Sequence, residues 1–199
     1  MSLSEPMEKL LSTFYDFTAR SDQHTHINIK EKQDNAKLRN VTLVAKDFQN
    51  WFSFTPETGE GVMSPLLAKG KEHKHHCSCD CVIFVNFSDR LGVIYIDLKS
   101  KSPNGAASQF KSTRQFIKYV LELLNEFHGI RFPAMTEGYL VLYGGSHSIN
   151  KAPTVPKWPK GGISTPDSPI TISIPDNFAL SLKTILGYIS QEFYQHPAT

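Results

Sequence analysis

The stretch CDCVIFVNFSDRLGVIYIDLKS, residues 79–100, decides how this chain of 199 residues folds. Two runs rich in β-branched and aromatic residues, 79–87 and 92–99, are separated by only four residues. Runs of this length and composition, joined by a short connection, predict two strands that pair as an antiparallel hairpin. The hairpin therefore supplies two neighbouring strands of the expected sheet.

Charged residues stand at the ends of these two strands. Side chains alternate along a strand, so Asp97 and Lys99 point to one face of the sheet and Leu98 to the other. If Asp80 pairs near them, two carboxylates and one ammonium share a patch. Charge among apolar strands is costly to bury, so these groups need each other, a metal or water. Paired carboxylates suit Mg²⁺ or Mn²⁺, and a nearby lysine can orient a water or neutralise developing negative charge.

The rest of the chain alternates helical and strand-like patterns. The clearest helix covers residues 105–127, where apolar residues recur at helical spacing. Together the elements predict an α/β domain built around a mixed sheet. The remaining expected elements are a helix over 5–19, a weaker helix over 31–38, strands over 41–45, 51–54, 137–143 and 170–174, and a final helix over 176–193 capped by Asp176.

The hairpin, its charged residues and the helix that follows resemble the PD-(D/E)xK nuclease superfamily. Asp80 stands at the first Asp of the motif, Asp97-Leu98-Lys99 forms its (D/E)xK part, and Cys79 replaces the Pro of the name. The likeness runs from the first helix through Tyr143. It implies a restriction-endonuclease-like fold, a mixed sheet flanked by helices with the core order helix, three strands, helix, strand.

The resemblance also implies roles for the residues of the motif. Asp80, Asp97 and the backbone carbonyl of Leu98 would bind Mg²⁺ or Mn²⁺, and Lys99 would help to activate the attacking water. The implied catalytic residues are therefore Asp80, Asp97 and Lys99.

Many members of the superfamily add a metal-binding carboxylate from the first helix. Glu8 is the candidate adopted here, Glu5 is its neighbour on the same helix, and Glu31 is a more distant choice. Gln109, on the helix after the motif, is a candidate for contact with the substrate or with the residues that surround the metal site.

A basic region follows the hairpin. Residues 98–166 contain nine Lys and Arg against three Glu, although the whole chain carries a net charge of only +2. Lys111, Arg114 and Lys118 stand three and four residues apart, which predicts one basic stripe along the helix. With Gln109 they are the expected nucleic-acid-binding residues, and a Gly- and Pro-rich loop over 144–169 is expected to add contacts to the backbone.

The His- and Cys-rich segment 73–81 indicates a competing site. Its density of ligands suggests zinc, with His73, His76 and Cys77 as the best-placed ligands. Residues two apart on an extended strand, such as Cys79 and Cys81, hold their sulfur atoms too far apart to bind one tetrahedral zinc. The alternative is that these two cysteines are small core residues.

These observations predict one domain over 1–199 that acts as a divalent-metal-dependent nuclease on DNA. We expect a cytoplasmic protein without a membrane partner, because no long apolar run or leader-like start is visible. A homodimer is one candidate assembly. The alternatives are a catalytically inactive nucleic-acid-binding or interaction module of the same fold, and a small zinc-binding domain.

Overall fold

The fold is known from a computed structural model that describes residues 2–14, 16–31, 36–56, 67–68, 72–87, 90–144 and 164–189. It contains helices, strands and one 3₁₀ turn at Lys74–His76. In chain order these are α1 (Glu5–Ser12), β1 (Ala19–Arg20), β2 (His26–Lys30), β3 (Asn40–Val44), β4 (Trp51–Phe54), β5 (Cys81–Phe87), β6 (Arg90–Lys99), α2 (Ala107–His128), β7 (Ala134–Gly144), β8 (Ile170–Ile174), β9 (Phe178–Ser181) and α3 (Leu182–Ile189).

The larger sheet is mixed and has the strand order β1-β4-β5-β6-β7-β8. The pairs β1–β4, β4–β5 and β5–β6 are antiparallel. The pairs β6–β7 and β7–β8 are parallel. The predicted hairpin is confirmed, with Cys81 opposite Ile96 and Phe87 opposite Arg90. A parallel neighbour requires a crossover, and α2 provides it between β6 and β7. The α/β class with a mixed sheet is therefore confirmed.

The larger sheet is covered on both faces, which explains why its central strands are almost continuously apolar. Along β6, Val93 and Tyr95 face a core shared with α1 and α2. Ile94 and Ile96 face a second core, shared with α3 and with a small sheet of order β2-β3-β9. By the same alternation Asp97 lies on the helix side, beyond Tyr95.

The expected helix over 5–19 is shorter in the structure and ends at Ser12. Its buried residues Met7, Leu10 and Leu11 match the expected apolar face. The chain then leaves the helix and reaches β1, which pairs with β4.

The expected final helix over 176–193 is wrong at its start. Asp176 does not cap a helix: its Oδ1 accepts hydrogen bonds from the backbone N–H groups of Arg39 (2.7 Å) and Asn40 (2.9 Å). Asn177 follows with φ of 57°, a left-handed conformation that turns the chain into β9. Strand β9 pairs in parallel with β3, and helix α3 begins only at Leu182.

The weak helix expected over 31–38 is also wrong where the structure describes it, since residues 31 and 36–38 are not helical. Strand β2 ends just before this segment. Its residues alternate in burial, with Ile27 and Ile29 buried and the others exposed. Most of the Gly- and Pro-rich loop, residues 145–163, lies outside the described residues. No helix in the described part of the chain is long and apolar enough to cross a membrane.

Gly138 of β7 is required by the close packing of α3. A Cβ atom at this position would overlap Cγ2 of Ile189. We expect Gly138→Ala to lower the free energy of unfolding by about 1 to 3 kcal/mol, as overpacked core substitutions do. Ile189→Ala should cost about 2 to 5 kcal/mol alone, and the double variant should cost less than the sum of the two. Urea denaturation measures this, and simple additivity of the two effects would contradict the packing described here.

Candidate active site

The site lies where β5 begins and β6 ends. Asp80 immediately precedes β5, and its N–H donates to the carbonyl of Ile96 (3.0 Å), which extends the pairing of the hairpin by one residue. Its Oδ2 accepts a hydrogen bond of 2.6 Å from the N–H of Leu98. The carboxylate of Asp80 is thereby held against the backbone that joins Asp97 to Lys99.

Asp97 and Lys99 share the face of β6 that α2 covers. The side chain of Asp97 is completely buried, and Lys99 retains 23% exposure. Lys99 Nζ lies 2.7 Å from Asp97 Oδ2, so the two form an ion pair. The side chain of Asp97 also interacts with that of Asp80, and beyond these two residues its oxygens have no hydrogen-bond partner among the described residues. Buried carboxylate oxygens with so few partners are rare, because their desolvation is then only partly offset.

Burial and mutual repulsion shape the protonation of the two aspartates. Burial, followed by the negative charge of Asp97, raises the pKa of Asp80 to about 8, although the hydrogen bond from Leu98 opposes the shift. Burial also raises the pKa of Asp97, and the neighbouring Lys99 ammonium opposes that shift. A cation between the two carboxylates would remove the repulsion that the protein leaves in place.

A third carboxylate influences this pair, and it does not come from the first helix. The charge of Glu31 acts on both Asp80 and Asp97 and disfavours their ionisation. Glu31 follows β2, and its N–H donates to the carbonyl of Arg39 (2.9 Å), which continues the pairing of β2 with β3. The alternation of Ile27 and Ile29 along β2 is the sequence signal that could have selected it.

Glu8, the carboxylate adopted from the sequence, is occupied elsewhere. Its Oε1 lies 2.6 Å from the guanidinium of Arg20, which also pairs with Asp22 at 2.6 Å. Its neighbour Glu5 is exposed to solvent. The structure thus joins Asp80, Asp97, Leu98 and Lys99 as expected, but it engages Glu8 in a separate ion-pair cluster.

Gln109, from the first turns of α2, contacts the site directly. Its Oε1 accepts a hydrogen bond of 2.6 Å from Lys99 Nζ, and its Nε2 donates to the carbonyl of Ser78 (3.1 Å). The sequence left two roles open for Gln109, contact with the substrate and contact with the residues around the metal site. In the structure it contacts Lys99, and it fixes that ammonium between an amide oxygen and the carboxylate of Asp97.

The expected basic stripe on α2 is largely neutralised by acids. Arg114 Nε donates to both oxygens of Glu137, at 2.9 and 2.7 Å, and Tyr95 donates its hydroxyl to the same carboxylate. Lys111 lies 2.6 Å from Asp167, and both of these side chains are exposed. Lys118 lines a cavity at the other end of β6, away from the aspartates. The spacing correctly predicted residues of one helix, but Arg114 is a structural cation of the sheet surface.

One cavity in the described part of the structure is remote from Asp80, Asp97 and Lys99. It has a volume of about 590 Å³ and lies at the opposite end of β6, where it is lined by Leu91, Lys118, Leu121, Arg131, Phe132 and Met135, among others. None of the four motif residues reaches it. Volume alone is therefore a poor guide to the chemistry of this protein.

The two buried cysteines belong to different cores. Cys79 packs on the helix side of the larger sheet and Cys81 on the side of the small sheet. Both are core residues, as one of the two sequence interpretations proposed, and their thiols cannot meet at one metal. His75 and His76 each place Nε2 near the carbonyl of Ala68, at 3.0 and 2.9 Å. This contact is to a backbone oxygen.

The described residues contain no group of three or more His, Cys, Asp or Glu side chains already arranged around a metal position. Asp80 and Asp97 nevertheless fit a hard cation in their chemistry. Both supply carboxylate oxygens, those of Asp97 have only Lys99 and Asp80 as partners among the described residues, and the backbone carbonyl of Leu98, the residue after Asp97, is a neutral oxygen.

Comparison of the chain with protein-family models, with curated proteins and with solved structures finds no match.

The raised carboxyl pKa values predict an unusual dependence of stability on pH in metal-free protein. The folded state holds the proton of Asp80 more tightly than the unfolded state does, so this contribution is complete below pH 4 and is lost as the pH rises through about 8. Asp80→Asn keeps an oxygen that can accept the hydrogen bond from the Leu98 N–H. It should reduce the fall in the free energy of unfolding between pH 4 and 8. At pH 8 we expect it to raise the free energy of unfolding by at least about 1 kcal/mol, since one pKa unit corresponds to about 1.4 kcal/mol.

The measurement is urea denaturation from pH 4 to 8 with EDTA present. Glu126→Gln, an exposed change on α2, is the matched control and should follow the wild-type curve. A wild-type stability that increases steadily from pH 4 to 8, with no effect of Asp80→Asn, would contradict the repulsion inferred at this site.

The pairing of Arg114 predicts a loss of stability from its removal. Arg114→Met should cost about 1 to 3 kcal/mol, because it leaves Glu137 poorly compensated, with the cost reduced by the partial exposure of Arg114. Adding Glu137→Gln should recover part of the loss. Lys111→Met, on an exposed pair, should change stability by less than about 0.5 kcal/mol. Thermal unfolding compares the variants, and equal effects at the two positions would show that Arg114 is not structural.

Proposed function

We propose that this protein is a divalent-metal-dependent nuclease that hydrolyses phosphodiester bonds, with DNA as its substrate. The observation that carries the proposal is the carboxylate of Asp97. It is completely buried, and among the described residues its oxygens have only the ammonium of Lys99 and the carboxyl group of Asp80 as partners. A protein that needed only stability would gain from an apolar residue at this position.

The order of the elements supports the same proposal. Helix α1, the antiparallel strands β4, β5 and β6, helix α2, and β7 parallel to β6 follow the order described for the PD-(D/E)xK core. The motif residues stand at the end of the hairpin, where β6 meets the start of α2. On this proposal the fold is restriction-endonuclease-like, and the small sheet and α3 are additions on its second face.

The metal site of the proposal consists of Asp80, Asp97 and the backbone carbonyl of Leu98. A bound Mg²⁺ or Mn²⁺ would supply Lewis acidity for the attacking water and positive charge for the phosphate. The hydrogen bond from the Leu98 N–H keeps the carboxylate of Asp80 in place. Burial of Asp97 keeps competing water away from its oxygens, so the carboxylate remains available to a cation.

Lys99 has a different task from the aspartates. Its ammonium is held by Gln109 Oε1 at 2.6 Å and by Asp97 at 2.7 Å, and its side chain remains partly exposed. In this position it can orient a water molecule or neutralise charge that develops on the phosphate. A preorganised cation of this kind stabilises a transition state because it need not reorient during the reaction.

Because Asp97 and Lys99 have different roles, substitutions of the two residues should have separable effects. Asp97→Asn removes a charged ligand, so we expect weaker Mn²⁺ binding and lower cleavage together. Lys99→Met keeps most of the stem and removes the ammonium. It should leave Mn²⁺ affinity unchanged or slightly higher, while DNA cleavage falls about 10² to 10³-fold or more. Calorimetric Mn²⁺ titration and cleavage of a labelled DNA duplex measure the two properties.

Lys101→Met is the control, because Lys101 is an exposed lysine two residues beyond Lys99. It should change neither property strongly. Wild-type protein that cleaves neither DNA nor RNA with Mg²⁺ or Mn²⁺ would overturn the proposed activity and favour an inactive nucleic-acid-binding module. Cleavage of RNA alone would correct the substrate and retain the chemistry.

A further inference from the structure

A second, smaller cavity of about 370 Å³ adjoins the candidate active site. It lies between the 3₁₀ turn at Lys74–His76 and the first residues of α2. We call it the Lys74 pocket, and its lining consists of Lys74, His76, Cys77, Ser78, Gly105, Ser108 and Gln109. None of the motif residues lines this pocket, and the proposed metal chemistry does not use it.

The walls of the Lys74 pocket are fixed to each other by hydrogen bonds from α2. Ser112 donates its hydroxyl to the carbonyl of His75 at 2.5 Å, and Gln109 Nε2 donates to the carbonyl of Ser78 at 3.1 Å. The N–H of Cys79 donates to the hydroxyl of Thr113 at 3.1 Å. The residues that carry Lys74 and His76 are therefore held against a long helix, and the pocket is formed before any ligand binds.

Gln109 connects the pocket to the chemistry. One end of its amide contacts Ser78 in the pocket wall, and the other end accepts the hydrogen bond from Lys99. A single side chain thus separates the pocket from the ammonium of the candidate active site. A strand whose reacting phosphate lies at Lys99 would have to pass beside Gln109 and the start of α2.

The lining of the pocket fits an anion better than a base. Lys74, Ser108 and Gln109 offer polar groups of three kinds. His76 also lines the pocket, but its Nε2 contacts the carbonyl of Ala68 at 2.9 Å. No acidic or aromatic carbocyclic side chain belongs to the lining. The two nearest acids in the sequence contact other groups: Glu72 lies 3.4 Å from His73 Nε2, and Asp80 Oδ2 accepts a hydrogen bond from the N–H of Leu98. Stacking of a base requires aromatic surfaces, whereas a phosphodiester needs a cation and hydrogen-bond donors.

We infer that the Lys74 pocket binds a backbone phosphate of the substrate strand, next to the phosphate that is cleaved. The inference rests on the proposed nuclease function and adds a subsite to it. The pocket would determine how the strand approaches Lys99, and it would do so without reading the base sequence. Lys74 would be its main charged contact, with Ser108 as a neutral donor.

The first experiment measures binding of a labelled oligonucleotide in EDTA, so that metal-dependent cleavage cannot consume the probe. Lys74→Gln should weaken binding and reduce the slope of log affinity against log salt by about one, as loss of one phosphate contact does. Lys46→Gln, an exposed lysine in the turn after β3, is the matched control and should retain the wild-type slope. Lys74 is exposed, so unchanged thermal midpoints should confirm that both variants are folded.

The second experiment locates the phosphate. Neutral methylphosphonate groups are placed one at a time along the strand, and cleavage by the wild-type protein is measured with Mn²⁺. We expect interference at a position adjacent to the cleaved bond, and we expect Lys74→Gln to be insensitive to that same replacement. If the replacement lowers cleavage by the wild-type protein but not by Lys74→Gln, that phosphate is assigned to the pocket.

The outcomes separate the two hypotheses. If the wild-type protein cleaves and binds DNA but Lys74→Gln matches Lys46→Gln in every assay, the pocket inference is overturned and the nuclease remains. If the wild-type protein neither binds nor cleaves nucleic acid, the proposed function and the subsite are both overturned. If Lys74→Gln remains sensitive to the adjacent methylphosphonate, Lys74 contacts a different group and the assignment is wrong.

Discussion

The burial of the Asp97 carboxylate is the constraint on which this structure depends. A charged group in a close-packed layer is destabilising unless nearby cations and hydrogen-bond donors compensate its charge. Among the described residues, Lys99 forms the ion pair with Asp97, and Gln109 fixes the ammonium of Lys99. Ionised Asp80 adds a second negative charge, so one ammonium leaves the ionised pair of carboxylates undercompensated. The arrangement is intelligible if a further positive charge belongs there during function.

The surrounding fold keeps this undercompensated group in place. Helix α2 covers the face of β6 that carries Asp97. Three polar residues of α2 form hydrogen bonds with the segment before β5 and hold it in place. The opposite face is closed by α3 and the small sheet. Since both faces of β6 are packed, its register is strongly specified, and a slip by one residue would exchange Asp97 with an apolar neighbour.

Local patterns in the sequence were sufficient to predict the hairpin, α2, and the meeting of Asp80, Asp97 and Lys99. Each depends on neighbours in the chain, through alternation or helical spacing. The failures involve distant partners. The sequence does not show that Glu137 faces Arg114 or that Arg20 engages Glu8, and for this reason Glu8 was preferred to Glu31 as the third carboxylate. Strands β2 and β9 are short, so their identity depends on pairing with β3 more than on their own composition.

The pairing of β3 with β9 also bears on how the chain reaches its folded state. Asp176 binds the backbone of residues 39 and 40, contacts that span 137 and 136 positions of sequence. Contacts between residues so far apart in the chain have a large loop-closure entropy cost, and they slow folding because the intervening chain must be brought together before they form. During synthesis, β2 and β3 emerge from the ribosome long before β9 exists. One edge of β3 then remains open to pairing with other chains until β9 has been synthesised.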